Sequence, residues 1–274
     1  MSTGFAFAAL LLAGNPVGVR FERSFDEAMK KARAQHKPVM IDFWAEWCGW
    51  CHRLDKTTYV DPAVVKLSQD FVAAKIDTEG SPAETAVAER FDVTSLPTIL
   101  FVTPGGHQIF RVNGFQGPGK FPRTLERAKE TALKLMAYEA VLEKNPRDAA
   151  ATAALGTHLF EQELFDEAGT LLSRSAKDDA QEPASTRRQT RMLLAIIQNY
   201  DRNYAGAEGL LKEALSIRPA GEDEAKLLFV LGRTYMKSGR APEARKTMQQ
   251  IVTSHPQSPM AQKAREQIAV LDQR

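Results

Sequence analysis

Val39-Met40-Ile41-Asp42-Phe43-Trp44-Ala45-Glu46-Trp47-Cys48-Gly49-Trp50-Cys51-His52 is the stretch that decides how this chain folds. An apolar and aromatic run, broken by Asp42, leads into a turn that holds the only two cysteines of the chain. The pattern predicts a buried strand that delivers C-x-x-C to the start of a helix, the arrangement of a thiol–disulfide exchange site. A helix N-terminus carries roughly half a positive charge and free N–H groups, which favours a thiolate there over a thiol. Cys48, first in the turn, is therefore expected to be the exposed attacking sulfur. Cys51, three residues on, is placed to close a disulfide and release whatever Cys48 has captured.

The same residues admit other readings. Cys48 to His52 also spells C-x-x-C-H, the pattern of c-type haem attachment, with His52 as axial ligand. A structural zinc site needs four ligands, and the other histidines, His36, His107, His158 and His255, are scattered singly. Two inert buried cysteines are a third possibility, though nothing else in the chain uses cysteine. The buried-strand pattern just before the turn favours redox chemistry. It implies no metal and no cofactor beyond a redox-active Cys48–Cys51 disulfide.

Ile41-Asp42-Phe43-Trp44-Ala45-Glu46-Trp47-Cys48-Gly49-x-Cys51 resembles the active-site stretch of the thioredoxin family. Asp92-Val93-Thr94-Ser95-Leu96-Pro97-Thr98 resembles the segment with that family's cis-proline, and the strand Ile99 to Val102 follows it. Lys56 to Pro62 and Val112-Asn113-Gly114-Phe115 are similar to one branch, the C-terminal thioredoxin-like domain of the periplasmic reductase DsbD. The resemblance covers roughly residues 18 to 130. It implies a catalytic set of Cys48, Cys51, Asp42 and Pro97, with Asp42 as the buried acid that helps move the proton of Cys51. It also implies substrate contacts at Trp47, Gly49, Trp50 and Leu96. Burial is expected to raise the Asp42 pKa. Trp50 replaces the family's usual proline or small residue, and His52 its usual basic residue. The lysine that often accompanies the acid has no clear counterpart, since Ala73 occupies its place and Lys75 is offset by two.

Taken in order, the 274 residues suggest two domains. Composition is that of an ordinary globular chain, 43% apolar and 26% charged with formal net charge +2. Residues 1–128 hold 15 basic and 14 acidic residues, leaving 21 and 20 for the remainder. Neither half has the basic footprint of a nucleic-acid binder. The cluster Arg187-Arg188-x-x-Arg191 is expected to be a solvated helix face. Residues 1–16 form an apolar segment whose run Phe5 to Gly14 has the length of a signal-peptide core and is too short to span a bilayer. It lacks a positive n-region. The run is surplus to the fold, and export is the favoured reading over a cytoplasmic location.

Residues 17–130 are expected to form an α/β thioredoxin fold, a central mixed sheet flanked by helices. Ser24 to Glu27 and Ser81 to Glu84 are capping boxes, and Asp61-Pro62 is an N-cap with proline in the first turn. Pro104-Gly105-Gly106 is a hairpin turn between strands 98–103 and 107–112. Residues 131–274 carry no strand signal and show self-similarity at a spacing a little above 34 residues. Leu155-Gly156, Leu194-Ala195 and Leu231-Gly232 fall at the positions where tetratricopeptide repeats need small residues between paired helices. Residues 137–146 are expected to continue the last helix of the first domain, Lys177 to Ser185 to form a loop, and Ser258 to Gln273 a capping helix.

These observations imply a thiol–disulfide oxidoreductase, most simply a reductase of protein disulfides supplied with electrons by another protein. The tetratricopeptide-like repeats would dock a partner, with Lys226, Arg233 and Lys237 sharing one helix face and Asn199 and Tyr200 contributing from the preceding repeat. Cations beside apolar side chains suit an extended peptide with an acidic group or a free C-terminus. No nucleic acid and no transmembrane span are expected. The alternative is a repeat scaffold whose thioredoxin-like module recognises a partner without significant turnover.

Overall fold

The computed structural model describes residues 18–273. The apolar segment 1–16 and its reading as an export signal lie outside the described residues. The described residues divide into two compact units, with the boundary between residues 134 and 135.

The first unit runs β1 (Phe21–Glu22), α1 (Phe25–Gln35), β2 (Val39–Trp44), α2 (Gly49–Arg53), a π-helical turn (Leu54–Thr58), α3 (Pro62–Ser68) and β3 (Val72–Asp77). It continues with α4 (Pro82–Arg90), β4 (Thr98–Val102), β5 (Gln108–Asn113) and α5 (Phe121–Lys144). The five strands form one sheet in the order β1-β3-β2-β4-β5. β3 is parallel to both β1 and β2, whereas β4 is antiparallel to β2 and β5. This is the expected thioredoxin fold.

β2 is central, which is why its sequence is apolar on both faces. Val39, Ile41 and Phe43 pack with Phe25, Ala28, Met29 and Ala32 of α1, Ala88 of α4 and Phe91 just beyond it. Met40 and Asp42 take the opposite face, because strand side chains alternate. Each fully buried large apolar side chain here contributes about 1.5–3 kcal/mol. The helix starts follow the sequence signals. Ser24 Oγ accepts from Glu27 N–H, Asp61 caps α3 with Pro62 in its first turn, and Ser81 and Glu84 form a full capping box. Only the Ser24 half of the first box is formed. His36 ends α1 in the left-handed conformation. Gly106, at φ 96°, closes the turn before β5 and supplies a backbone conformation that glycine adopts without steric cost.

The division between the units falls within the continuous helix α5. The second unit is α6 (Ala149–Glu161), α7 (Phe165–Asp178), α8 (Ala184–Tyr200), α9 (Tyr204–Ser216), α10 (Glu224–Lys237), α11 (Ala241–Ser254) and α12 (Pro259–Asp272). Each of these helices packs on the next, and α6, α8, α10 and α12 also pack in succession. The small residues have a steric reason. A Cβ at Gly156 would come within 2.9 Å of Leu172 Cγ, and one at Gly232 within 2.6 Å of Met248 Cε. Ala195, at the matching place in the middle repeat, is fully buried.

Two expectations for this unit are corrected. Lys177 to Ser185 is not a loop: α7 runs to Asp178, a 3₁₀ turn covers Asp179–Gln181, and α8 begins at Ala184. Nor is the arginine cluster solvated, because Arg188 and Arg191 are each 5% exposed. Arg188 Nε donates to Asp223 at 2.9 and 3.0 Å, and its Nη1 donates to the Pro219 carbonyl at 2.5 Å. Arg191 pairs with the buried Asp179 and donates to Glu213 at 2.6 Å. Acids brought from 12 to 35 residues away make this burial possible. Among the described residues no helix is long and apolar enough to cross a membrane.

Candidate active site

β2 ends at Trp44, and Ala45 to Trp47 carry the chain round to Cys48, the N-cap of α2. Cys48 and Cys51 are joined as a disulfide with Cα atoms 5.2 Å apart. The Cys51 N–H donates to Cys48 Sγ at 3.1 Å, and the Cys48 carbonyl accepts from the N–H groups of Cys51 and His52. One amide at the helix start, that of Cys51, thus reaches the Cys48 sulfur, where negative charge is favoured. Cys51 is completely buried and Cys48 is 3% exposed. This corrects the sequence reading, which expected an exposed Cys48: in the disulfide form both sulfurs are buried, because Cys48 at the helix start is drawn into the bond with the enclosed Cys51.

Trp47 and Trp50 flank the pair and are 68% and 55% exposed. Trp47 Nε1 donates to Glu79 at 2.8 Å. The Trp50 ring lies 5.3 Å from that of Phe115, and the Arg53 guanidinium sits over both. A Cβ at Gly49 would meet nothing, so contact does not require glycine there. His52 Nε2 is 2.7 Å from the Glu46 carbonyl, and its ring meets Trp44 edge-on. Leu96–Pro97 is a cis peptide bond immediately before β4. Leu96 is half-buried against the α1 side of the core. Among the described residues, no group of three or more His, Cys, Asp or Glu side chains is placed to hold a metal ion.

Asp42 is fully buried. Burial pushes its carboxyl up to about 7, and the Lys75 ammonium beside it holds it back from going further. Lys75 corrects the sequence reading, which gave the acid no lysine partner. The parallel pairing of β2 with β3 sets Asp42 opposite Lys75, and Lys75 Nζ lies 3.6 Å from Asp42 Oδ2. Cα partners in register point to the same face, whereas alignment by linear spacing places Ala73 there. Lys75 also contacts Asp55, four residues beyond Cys51 in the π-helical turn that follows α2. Asp55 and Tyr59 were missed from sequence. The helical spacing from Cys51 to Asp55 was the available signal for Asp55, and the π-helical turn that carries the chain on to Tyr59 gave none.

In the second unit, Lys226, Arg233 and Lys237 are exposed on α10. Lys237 Nζ lies 5.5 Å from the centre of the Tyr200 ring, which stacks on Phe165 at 4.7 Å. Asn199 is placed differently from those three. It is buried, and its Nδ2 donates to Thr234 Oγ1 at 2.9 Å, tying α8 to α10.

The family model of the thioredoxin-like domain matches residues 25–129, and two tetratricopeptide-repeat models match residues 135–183 and 200–268. The thiol:disulfide interchange protein DsbD of Haemophilus ducreyi is 37% identical over 108 residues, covering 38% of this chain and 19% of that protein. Its counterpart in Photorhabdus laumondii subsp. laumondii is 38% identical over 94 residues, 33% of this chain and 16% of that protein. The chain therefore spans less than a fifth of the length of these two relatives. A thioredoxin from Thermus thermophilus, solved in solution, aligns with a TM-score of 0.37 at 27% identity, covering 40% of this chain and 86% of that one. Residues 25–129 are a thioredoxin-like domain bearing a C-x-x-C disulfide, and it is followed in the same chain by tetratricopeptide repeats.

Proposed function

We propose that this chain is a protein-disulfide reductase whose repeats dock a protein partner. The observation that carries the reading is the Cys48–Cys51 pair at the start of α2, with the buried Asp42 on the strand that leads into it. In the reduced form the Cys48 thiolate attacks one sulfur of a substrate disulfide. A Cys48–substrate disulfide forms, and the other substrate sulfur leaves as a thiolate. Cys51 gives its proton to Asp42 and attacks Cys48 Sγ, closing the Cys48–Cys51 disulfide and releasing the second substrate thiol. Two electrons pass to the substrate, and a dithiol on another protein restores the pair. No cofactor beyond the disulfide takes part.

Charge supports this direction. A pair becomes oxidising when its reduced, thiolate form is stabilised. Here the residues between the cysteines are uncharged, and the carboxyls of Asp55, four positions after Cys51, and of Asp42, on the strand that leads into the turn, oppose a second negative charge. Trp47, Trp50, Leu96 and Pro97 are the side chains we assign to substrate contact. The matched relatives carry the name thiol:disulfide interchange protein, which accords with this chemistry. Lys226, Arg233 and Lys237, with Tyr200 beside them, suit an acidic or C-terminal peptide of the partner. An exported location completes the reading, supported by the apolar run Phe5 to Gly14.

The test is reduction of insulin disulfides by dithiothreitol, with and without the protein. The wild type is expected to accelerate it, and Cys48→Ser, Cys51→Ser to leave the uncatalysed rate. Equal rates for the two proteins would instead favour the scaffold reading.

A further inference from the structure

One group beside Asp42 has no part in the exchange scheme. Tyr59 follows the π-helical turn, its N–H donating to the Leu54 carbonyl at 2.9 Å. Its ring meets Phe21 edge-on at 5.1 Å and Phe121 at 5.9 Å, and the residue is 2% exposed. These rings fix where the phenol points. Tyr59 Oη is buried without a completed hydrogen bond, and so are both oxygens of Asp42. The phenol and the carboxyl act directly on one another: burial and then Asp42 push the phenol well above its ordinary range, while the phenol draws Asp42 down. Buried polar atoms left unmet are rare in native folds and call for a reason.

The remaining charges near Asp42 narrow that reason. Among the described residues Lys75 of β3 is the cation acting on it, and Lys75 is in contact with Asp55 while standing 3.6 Å from Asp42. Asp55, from the π-helical turn, repels an ionised Asp42. The one ammonium is thus shared between two carboxyls and is nearer the other one. A donor is missing, and the Tyr59 hydroxyl is the group available to supply it.

We propose that Tyr59 is a positioning residue of the exchange reaction, donating its hydroxyl to the Asp42 carboxylate and holding it ionised to receive the Cys51 proton. The inference rests on the reductase reading above. In the step concerned, the Cys51 proton passes to Asp42 and the Cys51 thiolate attacks Cys48 Sγ of the mixed disulfide. The substrate sulfur then leaves as a thiolate and takes a proton from solvent. In the disulfide form no proton awaits transfer, and the donor and acceptor stand by unpaired.

Tyr59→Phe removes the hydroxyl and keeps the ring between Phe21 and Phe121. Two measurements on the full chain test the proposal. The first is a carbon-13 NMR titration of the Asp42 carboxyl in the reduced protein. Its midpoint is expected to rise by about one pH unit in the variant, the size of one charged hydrogen bond lost. The second is the rate at which a preformed Cys48 mixed disulfide is resolved, followed against pH. That rate is expected to fall about fivefold at pH 7, where the ionised fraction drops, and to recover toward wild type in alkali. An Asp42 midpoint that stays put or falls overturns the proposal, as does a loss of rate that is uniform across pH. If the wild type itself reduces no disulfide, the reductase reading fails, while the NMR arm still decides whether Tyr59 governs Asp42.

Discussion

Each unit buries charge, and the two do so differently. In the sheet unit Asp42 is wholly enclosed with both oxygens short of hydrogen bonds, next to an ammonium shared with Asp55. In the repeats Arg188 and Arg191 are almost as deeply buried, yet each reaches a carboxylate, and Asp179 is paired in turn with Arg191. A network in which these buried charges meet opposite ones serves to hold helices in register. An undersupplied carboxyl sits close to its own titration midpoint, about 7 for Asp42, and can exchange a proton near neutral pH. The first arrangement is structural, and the second is what a proton-transfer step needs.

The comparison breaks if the arginine network proves dispensable. Arg191→Leu keeps much of the volume but leaves Asp179 buried without its main partner, which is expected to cost about 3–5 kcal/mol. Urea unfolding followed by circular dichroism reads this loss. The Asp42 midpoint should not move. A loss below about 1 kcal/mol would mean that the network contributes no more than a surface ion pair.

Replacing the other buried charge should have the opposite sign. In the folded chain Asp42 keeps its proton to about pH 7, whereas the ordinary carboxyl value is 3.8. Between those values the folded state binds more protons than the unfolded one, so the stability tied to this group falls as pH rises through the window. Asp42→Asn removes that fall. The variant is expected to match wild type near pH 4 and to exceed it by about 3–4 kcal/mol above pH 7. Thermal melts across this range check it, and a variant less stable than wild type in alkali would show Asp42 to be structurally satisfied after all.

These two clusters also mark where sequence reading ended. The C-x-x-C turn, the Asp61-Pro62 helix start and the Ser81–Glu84 box are local, and their geometry follows from neighbours a few residues apart. Gly156 and Gly232 were legible for a related reason, since their repetition exposed a packing requirement. Lys75 was not legible as the partner of Asp42, because the contact depends on the register of two parallel strands 33 positions apart (75 − 42). Arg188 and Arg191 were misread because a run of arginines looks solvated until acids from other helices are brought to it. Asn199 was expected in a binding groove, whereas its amide reaches Thr234 on α10. Tyr59 lay in the Lys56 to Pro62 segment that carried a resemblance, but nothing there marked it as a donor, which depends on Asp42, Lys75 and Asp55 being assembled around it.

A smaller effect separates docking from chemistry. Lys226→Glu with Arg233→Glu alters two exposed positions on α10. It should leave insulin reduction unchanged and slow reduction of a natural protein partner several-fold, at about 0.5–1 kcal/mol for each exposed charge. An unchanged rate with that partner would remove this face from the docking surface.

The central claim is that Cys48 and Cys51 form a reducing pair, and its most direct test is their equilibrium reduction potential. The full chain would be equilibrated in dithiothreitol buffers of stepped ratio, and the fraction of Cys48–Cys51 disulfide read by thiol labelling and mass spectrometry. With no cation between the cysteines to stabilise the reduced form, the account predicts a value close to the roughly −270 mV of thioredoxin. A value near the roughly −120 mV of a strong disulfide oxidant would contradict it.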